Sequence, residues 1–71
     1  MLDLSTVRQA AEVTQMELAA AMNTTQGQIS RIERQSDMLL STLSSYLAAL
    51  GVNARLVVDI DDETITYNLT A

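Results

Sequence analysis

The chain contains no cysteine, histidine, proline, lysine, tryptophan or phenylalanine among its 71 residues. Without cysteine there is no disulfide to staple the fold, and without histidine a zinc ion would have only carboxylates to bind. No nucleophile–base constellation can be assembled from what remains. An enzyme is not expected, and no catalytic residue, metal site or cofactor is assigned. No stretch of about 18 apolar residues is present, so no membrane span is predicted. The opening MLDLSTVRQA lacks the basic region and apolar core of a signal peptide, so a cytoplasmic location is expected. The lack of proline, of internal repeats and of low-complexity linkers leaves no domain boundary to draw. A domain of this size buries only about 60% of the surface its unfolded chain exposes, and such scaffolds usually need a staple or a partner. Oligomerisation is the option left open.

Positive charge is also scarce. Nine acids face four arginines, a net charge of −5, whereas nucleic-acid binders are commonly basic. The imbalance is uneven along the chain. Arg55, Asp59, Asp61, Asp62 and Glu63 together contribute −3, while residues 1–53 carry only −2.

What is present is a pattern from Thr14 to Glu33, TQMELAAAMNTTQGQISRIE. Thr14 followed by Glu17, and Thr25 followed by Gln28, read as two capping boxes. Asn23-Thr24 interrupts the helical pattern between them, and asparagine tolerates the left-handed conformation that ends a helix. Two helices this short cannot stand alone in water. A pair so capped and angled is a helix-turn-helix.

These residues resemble the Cro/repressor (XRE) family of phage and bacterial regulators. The family's ungapped pattern is met by Thr14, Gln15, Glu17, Leu18, Ala19, Asn23, Thr25, Gln26, Ile29, Ser30, Arg31, Ile32 and Glu33. The likeness reaches back to Arg8 and forward through Leu40–Gly51. The last twenty residues resemble small members and short antitoxins that end in a β segment. The fold class implied is mainly α: a four-helix Cro/repressor-like helix-turn-helix domain over residues 1–53, then a C-terminal β segment over 54–71. The segment is read as part of the same compact domain or as its dimer interface.

The elements can be placed from the pattern. Met1–Leu4 is a lead-in, and Ser5 is expected to cap a first helix through about Glu12, with Val7, Ala10 and Ala11 inward. The second helix takes Gln15–Met22, with Met16, Leu18, Ala19 and Met22 as apolar contacts, and the third takes Gln26–Glu33, burying Ile29 and Ile32. Ser41 is expected to cap a fourth, Thr42–Leu50, along which Leu43, Tyr46, Leu47 and Leu50 recur at helical spacing before Gly51 ends it. After Gly51 the period becomes 2. Leu56, Val58 and Ile60 share one strand face, and Ile65, Tyr67 and Leu69 share another. Pairing Ile60 with Ile65, Val58 with Tyr67 and Leu56 with Leu69 predicts a hairpin with Asp61–Thr64 as its loop. An isolated two-stranded hairpin is marginal in water, so these six apolar residues are expected to meet a second subunit.

The candidate DNA-binding residues are Gln15, Thr25, Gln26, Gly27, Gln28, Ser30, Arg31, Arg34, Ser41 and Thr42. Glutamine can read adenine and arginine guanine, each through a bidentate pair worth about 1–3 kcal/mol. The first turns of such a helix enter the major groove. The resemblance implies base or backbone contacts for Gln26 and Gln28, a phosphate contact for Gln15, and an ion pair between Arg8 and Glu33. Thr25, Ser41 and Thr42 could touch phosphate at helix starts, although capping alone would explain them. Gly27 costs roughly 1 kcal/mol inside a helix. Either no side chain fits between its backbone and the groove, or the position has drifted. The acidic run Asp59–Glu63 lacks an EF-hand's spacing and is read as a solvated turn.

The leading reading is a dimeric repressor on a palindromic operator of double-stranded DNA. The alternative is an antitoxin that neutralises a basic ribonuclease-type toxin and represses its own operon. A third, a protein-interaction or DNA-mimic module, rests on the negative charge alone.

Overall fold

The computed structural model describes residues 3–70. Within them run α1 (Leu4–Ala10), α2 (Gln15–Ala21), α3 (Gln26–Arg34), α4 (Leu40–Leu50), β1 (Arg55–Ile60) and β2 (Glu63–Asn68). The mainly α class with a terminal antiparallel hairpin is as the sequence predicts. Several local details differ, each for a physical reason.

Helix α1 is capped by Asp3, not Ser5. The Asp3 carboxylate accepts from the backbone N–H groups of Ser5 and Thr6 at 3.2 and 3.4 Å, and from both hydroxyls at 2.7 and 2.9 Å. A charged acceptor at a helix start gains from the dipole as well as from the bonds. Those hydroxyl bonds hold Asp3 below its ordinary pKa. The helix starts two residues earlier than expected, and its inner stripe is Leu4, Val7, Arg8 and Ala11 at helical spacing, so Leu4 and Arg8 are buried and Ala10 is exposed. The helix stops where Glu12 takes a left-handed φ of 60° and Val13 N–H reaches back to the Arg8 carbonyl at 3.3 Å.

Helix α2 carries the complete capping box. Thr14 Oγ1 accepts from Glu17 N–H at 3.1 Å, and Glu17 Oε1 accepts from Thr14 N–H at 2.9 Å. Leu18 and Ala19 are buried, whereas Met16, placed on the inner face by the sequence reading, is 69% exposed. A residue two positions before Leu18 lies nearly on the opposite side of a helix. Asn23 ends the turn at φ 56°, as the sequence implies, with Thr24 N–H on the Ala19 carbonyl.

Helix α3 buries Ile29 and Ile32. Thr25 accepts from Gln28 N–H at 3.2 Å, but among the described residues Gln28 makes no return bond, so the second capping box is half formed. Helix α4 starts at Leu40 behind Leu39, which offers no side-chain cap, so Ser41 sits exposed inside the first turn. Gly51 closes it at φ 76°. Leu18, Ile29 and Tyr46 are the largest fully buried side chains, and Leu4, Ala19, Ile32, Leu47 and Leu50 complete the core around them. Each large apolar side chain removed from water in this way contributes roughly 1.5–3 kcal/mol.

The hairpin pairs Leu56 with Tyr67, Val58 with Ile65 and Ile60 with Glu63, two residues away from the expected register. Asp61 adopts φ 51°, which lets Asp61–Asp62 alone turn the chain. Short polar side chains tolerate that conformation, and a two-residue loop is the tightest hairpin connection. A shift of two keeps every side chain on its face. It does move Leu69 off the strand, where it packs half-buried against the core with Val52 and Ala54. Leu69 therefore anchors the hairpin and does not lie on its apolar face. Leu69 N–H to the Ala54 carbonyl and Ala54 N–H to Thr70 Oγ1, both 2.9 Å, tie the base together.

Beyond that base every strand residue is exposed on both sides. The hairpin projects from the helical body, and the molecule measures 43 × 22 × 20 Å. One face carries Leu56, Val58, Ile60, Ile65 and Tyr67, each 43–58% exposed. Among the described residues no helix is long and apolar enough to cross a membrane.

Candidate nucleic-acid interface

Helix α3 is held at its inner side by Ile29 and Ile32. At 3.6 residues per turn, Gly27, Arg31 and Arg34 fall on the side opposite those isoleucines, with Gln26 and Gln28 flanking them. Gln26, Gly27, Gln28, Arg31 and Arg34 are all exposed; Ser30, nearer the body, is half-buried. Among the described residues Arg31 and Arg34 make no ion pair. The polar stripe is thus a single surface aimed away from the core.

Gly27 lies at the centre of this stripe, and the fold does not require it. Its φ is not positive, and a Cβ added there would meet only Thr25 Oγ1, at 3.9 Å. Gly27→Ala is expected to raise stability by about 0.5–1 kcal/mol, the usual gain at an unstrained helix position. Thermal unfolding checks this. A fall in melting temperature would show that the fold itself requires the glycine.

Behind the stripe lies a polar hub. Glu33, at the inner end of α3, uses both carboxylate oxygens twice. Oε2 accepts from Arg8 Nε at 2.7 Å and from the Tyr46 hydroxyl, while Oε1 accepts from Gln15 Nε2 at 3.0 Å and Arg8 Nη2 at 3.4 Å. A carboxylate has about four acceptor sites, and all are taken. Arg8 also gives Nη1 to the Val13 carbonyl at 2.9 Å, across the left-handed turn after α1. The pair is enclosed, with side chains 11% and 6% exposed.

The electrostatics follow from this enclosure. Burial alone would push Glu33 up, but the hydrogen bonds from Arg8, Tyr46 and Gln15 outweigh it and leave its pKa lowered. Arg8 is raised by its bond to Glu33, and Tyr46 is pushed far up by burial and by the same carboxylate. The Tyr46 hydroxyl also lies 3.2 Å from the Leu4 carbonyl. Its single proton makes the stronger bond to the charged oxygen.

The hub reaches the surface through Gln15. With its nitrogen on Glu33, its carbonyl accepts from Gln26 Nε2 at 3.3 Å. An amide nitrogen carries two protons, so Gln15, half-buried at the start of α2, keeps one donor for an outside acceptor. The hub therefore orients Gln26, the first residue of α3, through Gln15. Thr25 Oγ1 accepts from Gln28 N–H in the cap, which leaves its O–H proton to donate. Ser41 stands exposed at the start of α4, whose first N–H groups have no side-chain cap, and Thr42 is half-buried beside it.

The sequence reading missed the Tyr46 hydroxyl by counting Tyr46 as an apolar contact. A signal was available, because a tyrosine in a row of buried leucines needs a partner for its hydroxyl. No comparable signal joins Gln15 to Gln26, which lie eleven residues apart on different helices.

Comparison with known proteins adds three findings. A family model described as helix-turn-helix matches residues 4–57. Two solved structures resemble the whole fold. One is a DNA-bound antitoxin HigA3, with a TM-score of 0.83 and 31% identity over 94% of this chain and 90% of that one. The other is a HigA antitoxin described as inducing DNA bending by unique dimerization, with a TM-score of 0.79 and 31% identity over the same shares. Among curated proteins none matches.

Proposed function

The chain belongs to the XRE-type helix-turn-helix family, and from that premise we propose that it is an antitoxin that binds its own operator as a dimer joined through the hairpin. One observation carries the choice over a repressor without a protein ligand. The family match ends at residue 57, yet the likeness to the two antitoxins covers 94% of the chain and so takes in the hairpin. One of those antitoxins is described as DNA-bound and the other as bending DNA through its dimer. Helix α3 presents Gln26, Gly27, Gln28, Ser30 and Arg31 to the major groove, with Arg34 on phosphate. Gln15, Thr25, Ser41 and Thr42 stand at helix starts facing the flanking backbone. Gly27 lets the α3 backbone approach the base edges closely. Two copies place two such helices about one helical turn apart on a palindromic site.

The charge supports a particular style of binding. With Arg31 and Arg34 as the nearest unpaired cations among the described residues, phosphate contact rests on amides and hydroxyls, so affinity falls only shallowly with salt. The same acidity suits a basic ribonuclease-type toxin as protein partner.

Gln26→Ala with Gln28→Ala is expected to weaken operator preference by roughly 100-fold or more, the worth of two bidentate base pairings, while thermal unfolding changes little. Gel retardation on the DNA upstream of the gene measures it, and retained preference would refute the assigned surface. Co-expression with the product of the adjacent gene tests the antitoxin reading. Relief of that product's toxicity supports it; no complex and no relief leaves only a regulator.

A further inference from the structure

The hairpin's charges are segregated along its length. Its base carries Arg55, and its tip carries Asp59, Asp61, Asp62 and Glu63. Both ends are exposed, and among the described residues none of these groups forms an ion pair. Asp59 accepts from Thr64 Oγ1 at 2.9 Å, while among the described residues Asp61 and Asp62 accept no side-chain bond. Two copies related by a two-fold axis along the strands would bring the acidic tips together. Two copies related by an axis across the strands would bring each acidic tip to the other's arginine.

Building on the hairpin dimer proposed above, we propose that two β1 strands pair antiparallel about an axis at Val58, so that Arg55 of each copy bridges to the partner's Asp61. This register follows from few constraints. The apolar faces must lie on one side, and a slip of one residue would set them on opposite sides. Of the remaining registers, the one with Val58 opposite itself places Leu56 against the partner's Ile60 and Arg55 against the partner's Asp61. An axis at Asp59 sets like charges directly opposite, which is unfavourable. An axis at Val57 also pairs Arg55 with an acid, but it sets Ile60 opposite Ala54, which packs against the helical core and offers the partner no apolar surface. Strand β2 has Glu63 and no cation, so pairing through it satisfies no charge. The resulting sheet has four strands, with an apolar face continuous across the axis.

The test is a charge swap read by the dimer dissociation constant in sedimentation. Arg55→Glu, which turns attraction into repulsion twice per dimer, is expected to weaken the dimer roughly tenfold or more. Asp61→Asn keeps a side chain at home in the left-handed turn and is expected to weaken it about threefold. Arg55→Glu with Asp61→Lys is expected to dimerise roughly tenfold more tightly than Asp61→Lys alone, which carries the same strained turn. Asp62→Asn is the control and leaves dimerisation unchanged. Circular dichroism verifies that each variant folds. Absence of rescue in the swapped pair, or equal losses at Asp61 and Asp62, overturns the pairing. If Val58→Asp still breaks a wild-type dimer in that case, the hairpin interface stands and only this register falls. A wild type that is monomeric throughout overturns both.

Discussion

Replacing Glu33 with glutamine is expected to cost about 3–5 kcal/mol, the penalty for removing one partner of an enclosed ion pair. A domain of this size has a total stability of roughly 4–10 kcal/mol, so the substitution removes about a third of it or more and unfolds the protein at the low end of that range. The substitution is nearly isosteric, which removes packing from the account. What changes is the chemistry at four bonds: Arg8 loses its countercharge while 9% exposed, and an amide N–H₂ must face groups that are themselves donors. Removing both charges, as in Arg8→Met with Glu33→Gln, is expected to recover only part of the loss, because Tyr46 and Gln15 also depend on this carboxylate. Urea titration measures the effect as a lower midpoint with an unchanged slope. A loss below about 1 kcal/mol, the range of exposed pairs, would show that the hub does not hold the helices together.

The same carboxylate gives stability a pH signature. The pKa of Glu33 is lowered in the folded state from an ordinary 4.5. The unfolded chain therefore binds the proton more readily, and this contribution is complete above about pH 4.5 and disappears as pH falls through the lowered value. Asp3 and Glu17, also lowered, weaken in the same acidic window. Subtracting the Glu33→Gln curve from wild type isolates the Glu33 component. Tyr46 acts at the other end. Its raised pKa means that stability declines above pH 10, where the unfolded tyrosine ionises and the folded one does not.

Val58→Asp is expected to convert the dimer to a monomer and to lower operator affinity by about 10²–10⁴, the range that linking two weak readers supplies. Val58 is 43% exposed and sits opposite Ile65, mid-face on a hairpin that touches the helical body only at its base. The monomer should consequently keep its helical melting transition, which separates this variant from Glu33→Gln. Sedimentation and gel retardation together decide it. A variant that stays dimeric would move the interface away from the hairpin, whereas a monomer with full operator affinity would show that one copy suffices to read the site.

Much of this molecule is legible one residue at a time, and the differences between pattern and structure share a cause. Thr14 with Glu17 and the left-handed Asn23 depend on neighbours within a turn, and they are where pattern alone puts them. Ser5 and Ser41 each have the chemistry of a cap. Asp3 displaces the first with a stronger acceptor, and at the second the helix simply begins earlier. The register of the hairpin depends on whether Asp61 accepts φ 51°, which no period-2 alternation encodes. Met16 shows the limit of naming apolar residues in a helix without following their angle around it.

By itself the sequence determined the class of the protein: four short helices, a helix-turn-helix from Thr14 to Glu33, and a terminal pair of strands. Those features are local or periodic, and local hydrogen bonding and hydrophobic spacing suffice to specify them. Only the tertiary structure decided that Glu33 is a four-bond hub joining α1, α2, α3 and α4, and that it reaches Gln26 through Gln15. The structure also decided that six apolar hairpin residues, five of them on one face, stand clear of the core. These features depend on groups distant in sequence arriving at one point. That arrival is set by how the helices pack, and packing is a property of the whole chain.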